Sequence, residues 1–131
     1  MTLILPTSAG SPISQWVVLD WTTPAQTSQP AAGGVATVVF PQLDTETQWL
    51  LDHAVAQCDS TTGTVMRLYD SDPSAGTLWD GTDAGNFNVA EWAPGLLIRP
   101  QGQLVAVWSG CSDDAVATLR VQARVMRRVT A

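Results

Sequence analysis

The sequence predicts an all-β protein, an antiparallel sandwich or barrel with seven or eight strands after residue 34. Short segments rich in β-branched and aromatic residues are separated by Gly, Pro, Asp and Asn at intervals of about 8–12 residues, which is the spacing of all-β domains. Within the segments, apolar and polar residues alternate with a period of two. Each segment therefore has one face to bury and one face to leave in solvent.

The last two segments organise the predicted sheet. In residues 115–128 the odd positions from 115 to 125 are small or apolar, and the even positions are Thr, Arg or Gln, with Val116 and Met126 as exceptions. About fourteen residues is long for a strand, so we expect this segment to be the spine of a sheet. Residues 103–109 precede it across a Cys-Ser-Asp-Asp turn, and we expect the two strands to pair.

The other strands are predicted in order along the chain. They are Val35–Phe40, Gln48–Ala56, Thr64–Tyr69, the short edge piece Leu78–Trp79, Asn86–Trp92 and Leu96–Arg99. Residues 45–58 could also be drawn as a helix, but their period-two alternation favours a strand. That strand would place four side chains on one face: Trp49, Leu51, His53 and Val55.

The N-terminal third differs in composition from the rest. Residues 1–22 are predicted to form an extended arm with a possible strand at 13–21, because Pro6, Gly10 and Pro12 follow a brief apolar run. Residues 23–33 are rich in Thr, Pro, Ala, Gln and Gly, and we expect a linker loop. The β-sandwich domain is predicted to span residues 34–131.

Composition excludes several function classes. The 131 residues suffice for one domain with a real core. The net charge is −6, there is no Lys, and four of the six Arg residues lie in the last twelve positions, so duplex nucleic acid is a poor partner. The N-terminus lacks the features of a signal peptide and no apolar run could span a bilayer, so we expect a soluble protein that is not secreted.

Catalytic machinery is not expected. His53 is the single histidine of the sequence, and a lone histidine on an apolar strand face is usually a structural residue. Cys58 and Cys111 match no zinc or redox motif; they are either two free thiols in a reducing compartment or a single bridge. We therefore predict no enzyme activity, no cofactor and no catalytic residues.

Acidic loops offer a weak alternative for metal binding. Four carboxylates lie close together in sequence, and they are Asp70, Asp72, Asp80 and Asp83. Oxygen-rich loops of this kind can hold calcium, but Asp-Pro and Asp-Gly are also the ordinary chemistry of tight turns. The spacing does not fit an EF-hand, so structural turns are the favoured interpretation and no metal is predicted.

Aromatic and basic residues point to an interface. Trp49 and Trp108 fall within alternating strands and are predicted to be core, whereas four others lie near strand ends, where Trp is typical of protein interfaces: Trp16, Trp21, Trp79 and Trp92. Along the last strand three arginines recur every four residues and share a face: Arg120, Arg124 and Arg128. These arginines either form a solvent-exposed face or contact an acidic surface on a neighbouring subunit.

Several motifs together resemble a class of small virion proteins from tailed phages of actinobacteria. They are Gly33–Phe40, Gln48–Leu51, Val65–Asp70, Asp80–Ala90, Gln103–Gly110 and Ala117–Gln122. The resemblance covers about residues 33–128. It implies a jelly-roll-like β-sandwich. With the strands and the arm predicted above, we expect seven to nine strands and an extended N-terminal arm, and the arm has no counterpart in the class. It implies no catalytic residues.

The resemblance also implies a function and partners. We expect a non-enzymatic virion structural protein, assembled in the host cytoplasm, that decorates the outer capsid surface or is a minor capsid protein and stabilises the particle. The expected partners are the major capsid protein or other virion proteins, with a homo-oligomer, first of all a trimer. The predicted interface adds the apolar arm residues Leu3, Ile4 and Leu5 to Trp16, Trp21 and the three arginines. Alternatives are a tail or head–tail connector component and a carbohydrate-binding β-sandwich module.

Overall fold

Nine strands form where the sequence alternates. The computed structural model describes residues 14–28, 30 and 32–130. The strands are Ser14–Thr22 (β1), Ala25–Thr27 (β2), Val35–Val39 (β3), Thr47–Cys58 (β4), Val65–Asp70 (β5), Leu78–Thr82 (β6), Phe87–Ile98 (β7), Leu104–Ser109 (β8) and Ala117–Thr130 (β9). A 3-10 turn, Ala75–Thr77, precedes β6. The predicted all-β class is confirmed, and residues 47–58 are strand and not helix.

The strands form two antiparallel sheets packed as a sandwich. Sheet A has the order β1-β9-β4-β7, with β2 also pairing with β9, and sheet B has the order β3-β8-β5-β6. Setting β2 aside, each sheet contains four strands, and the chain enters sheet B at β3, β5 and β8 and returns to sheet A at β4, β7 and β9. This is the strand order of a jelly roll. The predicted jelly-roll type is therefore confirmed.

The predicted pairing between the last two strands is wrong. β8 pairs with β3 and β5 in sheet B, whereas β9 pairs with β1, β2 and β4 in sheet A. The intervening turn, with Gly110 and Asp114 at positive φ, carries the chain from one layer to the other. Alternation shows that each strand has one buried face, but it does not identify the neighbouring strands, and here both buried faces meet across the core.

A β-bulge overturns the predicted face of His53. The register of β4 on β9 shifts between Leu51 and His53, so Asp52 is an extra residue. Before the bulge the odd position Leu51 is buried, and after it the even positions Ala54 and Ala56 are buried. Because one extra residue reverses the phase of a strand, His53 and Val55 lie on the face opposite to Leu51.

One strand, β7, replaces the two predicted between residues 86 and 99. Leu96 pairs with Leu51 and Glu91 pairs with His53, so residues 92–95 form an excursion that does not interrupt the strand. Pro94 and Gly95 within it are turn-forming residues, which is why the sequence suggested a break. β7 is at the edge of sheet A, where such an irregularity is tolerated.

The core lies between the two sheets. Its largest fully buried side chains include Trp108, Phe40, Leu51 and Leu119, each worth about 1.5–3 kcal/mol on burial. Trp108 donates a hydrogen bond from Nε1 to the carbonyl of Gly85 at 2.8 Å, which satisfies its polar atom inside the core. Six buried alanines within the strands allow the sheets to approach closely: Ala36, Ala54, Ala56, Ala106, Ala117 and Ala123.

The strand predicted at 13–21 is present as β1, Ser14–Thr22. Together with β2, a strand that the sequence did not predict, it pairs with β9. Residues 1–13 lie outside the described residues, so the division of the chain into arm, linker and domain stays a prediction. Among the described residues, no element is a helix of the length and apolarity that crossing a bilayer requires.

Candidate interaction surface

One side of sheet A faces away from sheet B, and we call it the outer face. Its strands place the following side chains there: Trp16, Val18 and Trp21; Leu50, His53 and Val55; Phe87, Val89 and Leu97; Arg120, Arg124 and Arg128. Several of its apolar side chains are exposed, with Phe87 at 62%, Trp21 at 53% and Val89 at 45%. A sheet face that leaves this much apolar surface in water is typical of an interaction site.

Arg124 is fixed at the centre of the outer face. Its Nε and Nη2 donate to the two carboxylate oxygens of Asp52 at 3.0 and 2.8 Å. Nη2 also donates to the carbonyl of Pro94 at 2.8 Å. The bulge in β4 supplies Asp52 and the excursion in β7 supplies Pro94, so two irregularities of the backbone converge on one guanidinium. Bidentate pairing of this kind is strong and directional.

Two tryptophans lie next to arginines on the outer face. Trp21 pairs with Arg124 across β1 and β9, and the guanidinium carbon lies 5.8 Å from the ring centroid. Trp16 pairs with Arg128 in the same way, at 5.4 Å. These are cation–π contacts, which hold each ring against the sheet while part of it stays accessible. The sequence-predicted residues of this part of the interface are thus brought together by direct cross-strand pairing.

A continuous row crosses all four long strands of sheet A. In register its residues are Leu97, Leu50, Arg124 and Trp21. A second row joins Val89, Val55 and Arg120 across β7, β4 and β9. The apolar side chains of the outer face therefore form neighbouring pairs within each row, and a polar row of Glu91, His53 and Gln122 lies between the two rows.

The outer face is close to charge-neutral. Arg124 pairs with Asp52, Arg128 lies 3.8 Å from Glu46, and His53 lies 3.6 Å from Glu91. Three arginines thus share the surface with three carboxylates, whereas the whole chain carries −6. Two of the three arginines predicted to meet an acidic neighbour already have acidic partners in their own chain. Arg120 is exposed.

The predicted acidic loops are used as structural links. Asp80 accepts hydrogen bonds from the Gly81 amide at 2.7 Å and from Trp92 Nε1 at 2.9 Å, the second of which joins β6 of one sheet to β7 of the other. Asp70 accepts from the Gln103 amide, and Asp83 pairs with Arg67 at 3.4 Å. Across the described residues, no three His, Cys, Asp or Glu side chains form a group that could hold a metal ion.

The other tryptophans belong to the interior side of the sandwich. Trp49 meets Phe40 edge-on with ring centroids 6.3 Å apart, and Trp79 and Trp92 are partly buried against the core. Beside Trp92 lies a small cleft of about 60 Å³ between the sheets, and the residues that line it include Ala54, Ala56 and Leu119. It lies on the side of sheet A opposite to His53. Trp79 and Trp92, predicted as interface residues, are therefore not on the outer face.

Several residues of the surface were missed from the sequence. Leu3, Ile4 and Leu5 of the predicted interface lie outside the described residues. Phe87, Val89 and Leu97 were assigned to strands but not to a surface, because the face of an edge strand depends on its register. Asp52 and Glu46 carried no motif, and their pairing with arginines more than 70 positions away depends on the fold alone.

These features define a jelly roll in which the outer face of sheet A carries both exposed apolar side chains and ion pairs. The fold is similar to that of a chain in a solved structure described as the acidic stable capsid structure of Helicobacter pylori bacteriophage KHP30, with a TM-score of 0.57. The match covers 89% of this chain and 98% of that chain at 12% identity. At that identity the likeness is one of fold. No protein-family model matches the chain, and no curated protein matches it in sequence.

Proposed function

We propose that this protein is a non-enzymatic structural component of a phage particle, a decoration or minor capsid protein that binds the outer capsid surface and stabilises it. The observation that carries the proposal is the jelly-roll fold, which it has in common with a chain of a phage capsid, combined with the exposed outer face of sheet A. The near-complete coverage of both chains supports it, because the shared unit is a whole small domain.

The chemistry of the outer face favours a protein surface of the capsid shell as its partner. Its charges are largely paired within the chain, so docking does not require a strongly charged partner. Exposed Phe, Val, Leu and Trp side chains supply apolar area, and Trp and Arg are the residues that most often dominate binding energy. The charge of −6 elsewhere would oppose close packing of copies through their other surfaces.

A homo-oligomer, first of all a trimer around a symmetry axis of the shell, is part of the proposal. Repeated weak contacts then add up, because several copies of one face engage the shell together. A tail or head–tail connector position is the main competing location. Imaging purified particles with this chain's density located separates the two: density over the shell supports decoration, and density at the tail or portal vertex would refute it.

A matched pair of variants tests the docking face. Val89→Ser removes an exposed apolar side chain from the outer face, and Val39→Ser removes one of similar exposure, 49% against 45%, from β3 of sheet B. Both changes lie on edge strands, so their effects on folding are comparable. We expect Val89→Ser to reduce the copies bound per particle several-fold and Val39→Ser to leave them unchanged. Equal binding by both variants would exclude sheet A as the docking face.

A further inference from the structure

Two cysteines lie together in the core although 53 residues separate them. Cys58 is the last residue of β4 in sheet A, and Cys111 follows β8 of sheet B by two residues. Both are free thiols and both are buried, at 7% and 9% exposure. They belong to one hydrophobic cluster, so a bond between them would join the two layers of the sandwich.

Hydrogen bonds hold the chain segments of the two cysteines side by side. The hydroxyl of Ser60 accepts from the amide of Ser112 at 2.9 Å, and the hydroxyl of Ser112 accepts from the amide of Thr61 at 3.0 Å. On the other side of Cys111, Gly110 accepts a hydrogen bond from the hydroxyl of Thr62 at 2.7 Å. The segments that follow Cys58 and flank Cys111 thus make reciprocal contacts and lie side by side.

Cys58 also affects the Cys111 thiol. Burial raises the pKa of the Cys111 thiol, and so do the charge of Cys58 and a side-chain hydrogen bond with it. The Cys111 thiol donates to the carbonyl of Trp108 at 3.7 Å, and its amide donates to Gly34 at the start of β3. Cys111 is thereby anchored to sheet B while its side chain meets a residue of sheet A.

We propose that Cys58 and Cys111 are a latent disulfide site that joins the two sheets when the protein meets an oxidising small-molecule disulfide. The thiolate of Cys111 attacks one sulfur of that molecule and expels the other as a thiolate, which takes up the proton from Cys111. The thiolate of Cys58 then attacks the Cys111 sulfur of the mixed disulfide and expels the second small thiol with the second proton. Two protein thiols are oxidised by two electrons and one small disulfide is reduced.

Attack begins at Cys111 because of its position. It lies on the turn between β8 and β9, where Gly110, Asp113 and Asp114 are exposed. A local opening of this turn admits the reagent without disturbing a strand, whereas Cys58 is held in β4 between β7 and β9. Closing a loop of 53 residues restricts the unfolded chain, so the oxidised protein is expected to be more stable than the reduced one.

The experiment treats the purified reduced full-length chain with oxidised glutathione and maps the products by mass spectrometry after alkylation. We expect an intramolecular Cys58–Cys111 bond in the monomer, with unchanged far-UV circular dichroism and a rise in Tm of about 10 °C that a dithiol reductant reverses. The measurement uses the isolated chain, so its outcome is independent of where the protein sits in a particle.

Single variants make the result decisive. Cys58→Ser is expected to stop at the mixed disulfide on Cys111 and to show no rise in Tm. Two alkylatable thiols in the wild-type chain after days of treatment, or a disulfide that forms only between chains, would overturn the proposal. So would a bond that forms in the native chain and lowers Tm.

Discussion

Arg124 and Asp52 form a two-pronged ion pair across β9 and β4, with N–O distances of 2.8 and 3.0 Å, although the residues are 72 positions apart. Asp52 is the extra residue of the bulge in β4. The bulge therefore does two things: it reverses which side chains of β4 face the core, and it places a carboxylate beside the arginine. Both side chains are only about a quarter exposed, so solvent weakens the pair less than it would on an open surface.

The first prediction concerns the stability of this ion pair. Asp52→Asn is expected to lower the free energy of unfolding by about 2 kcal/mol, because it removes the charge of an acceptor for two hydrogen bonds. Arg124→Lys is expected to cost about the same, since an ammonium group cannot donate in the same fork geometry. Denaturant unfolding of the two single variants and the double variant forms a double-mutant cycle. This cycle gives the coupling free energy between the two side chains. A coupling near zero would show that the pair adds nothing to stability.

The second prediction concerns Gly95 in the excursion of β7. Its φ is +136°, and a Cβ there would come within 2.6 Å of Leu50 Cγ. Gly95→Ala is therefore expected to destabilise the fold by about 2–4 kcal/mol and to disturb the contact of Pro94 with Arg124.

Gly33→Ala is the matched control for Gly95. Gly33 also has a positive φ, +63°, but no atom lies within 4 Å of the added Cβ. Gly33→Ala therefore adds the cost of a left-handed backbone, about 1 kcal/mol, without a clash of the added Cβ. Similar losses of stability for the two variants in thermal unfolding would contradict the close packing of Gly95 on Leu50.

The third prediction concerns the N-terminal segment. Deleting residues 1–13 removes Leu3, Ile4 and Leu5 but keeps β1, and we expect the domain to fold while incorporation into particles falls. Deleting residues 1–22 would also remove the strand that pairs with β9, so its loss of binding could come from unfolding. Circular dichroism and particle binding should be measured for both deletions. Full incorporation without residues 1–13 would exclude a docking role for the three apolar residues.

The fourth prediction concerns pH. The pKa of the Cys111 thiol is raised above its ordinary value of 9.0, chiefly by burial. A group whose pKa is higher in the folded state contributes stability that is fully present below the unfolded pKa and is lost as pH rises through the folded one. The reduced protein should therefore lose stability above about pH 9, and Cys111→Ser should lose less. Parallel decreases in Tm for the two proteins would show that other groups control the alkaline limit.

The sequence predicted most of the fold because alternation is a local property. β3, β5, β8 and β9 were found close to their observed bounds, and in β3 and β5 more and less buried residues alternate without a break in phase. β4 and β7 were partly misread, because an extra residue at Asp52 and an excursion at 92–95 change the phase within a strand. Such irregularities depend on the neighbouring strand and leave little trace in composition.

The sequence alone was enough to predict an all-β protein whose strands have one solvent-exposed face and one buried face. It also predicted that three arginines of the last strand lie on the same face. The neighbours of each strand depend on the tertiary structure: β8 and β9 lie in different sheets, and Arg124 contacts Asp52, Pro94 and Trp21. The physical reason is that a side chain's face follows from the local backbone, whereas its partners follow from pairings between segments far apart in the chain.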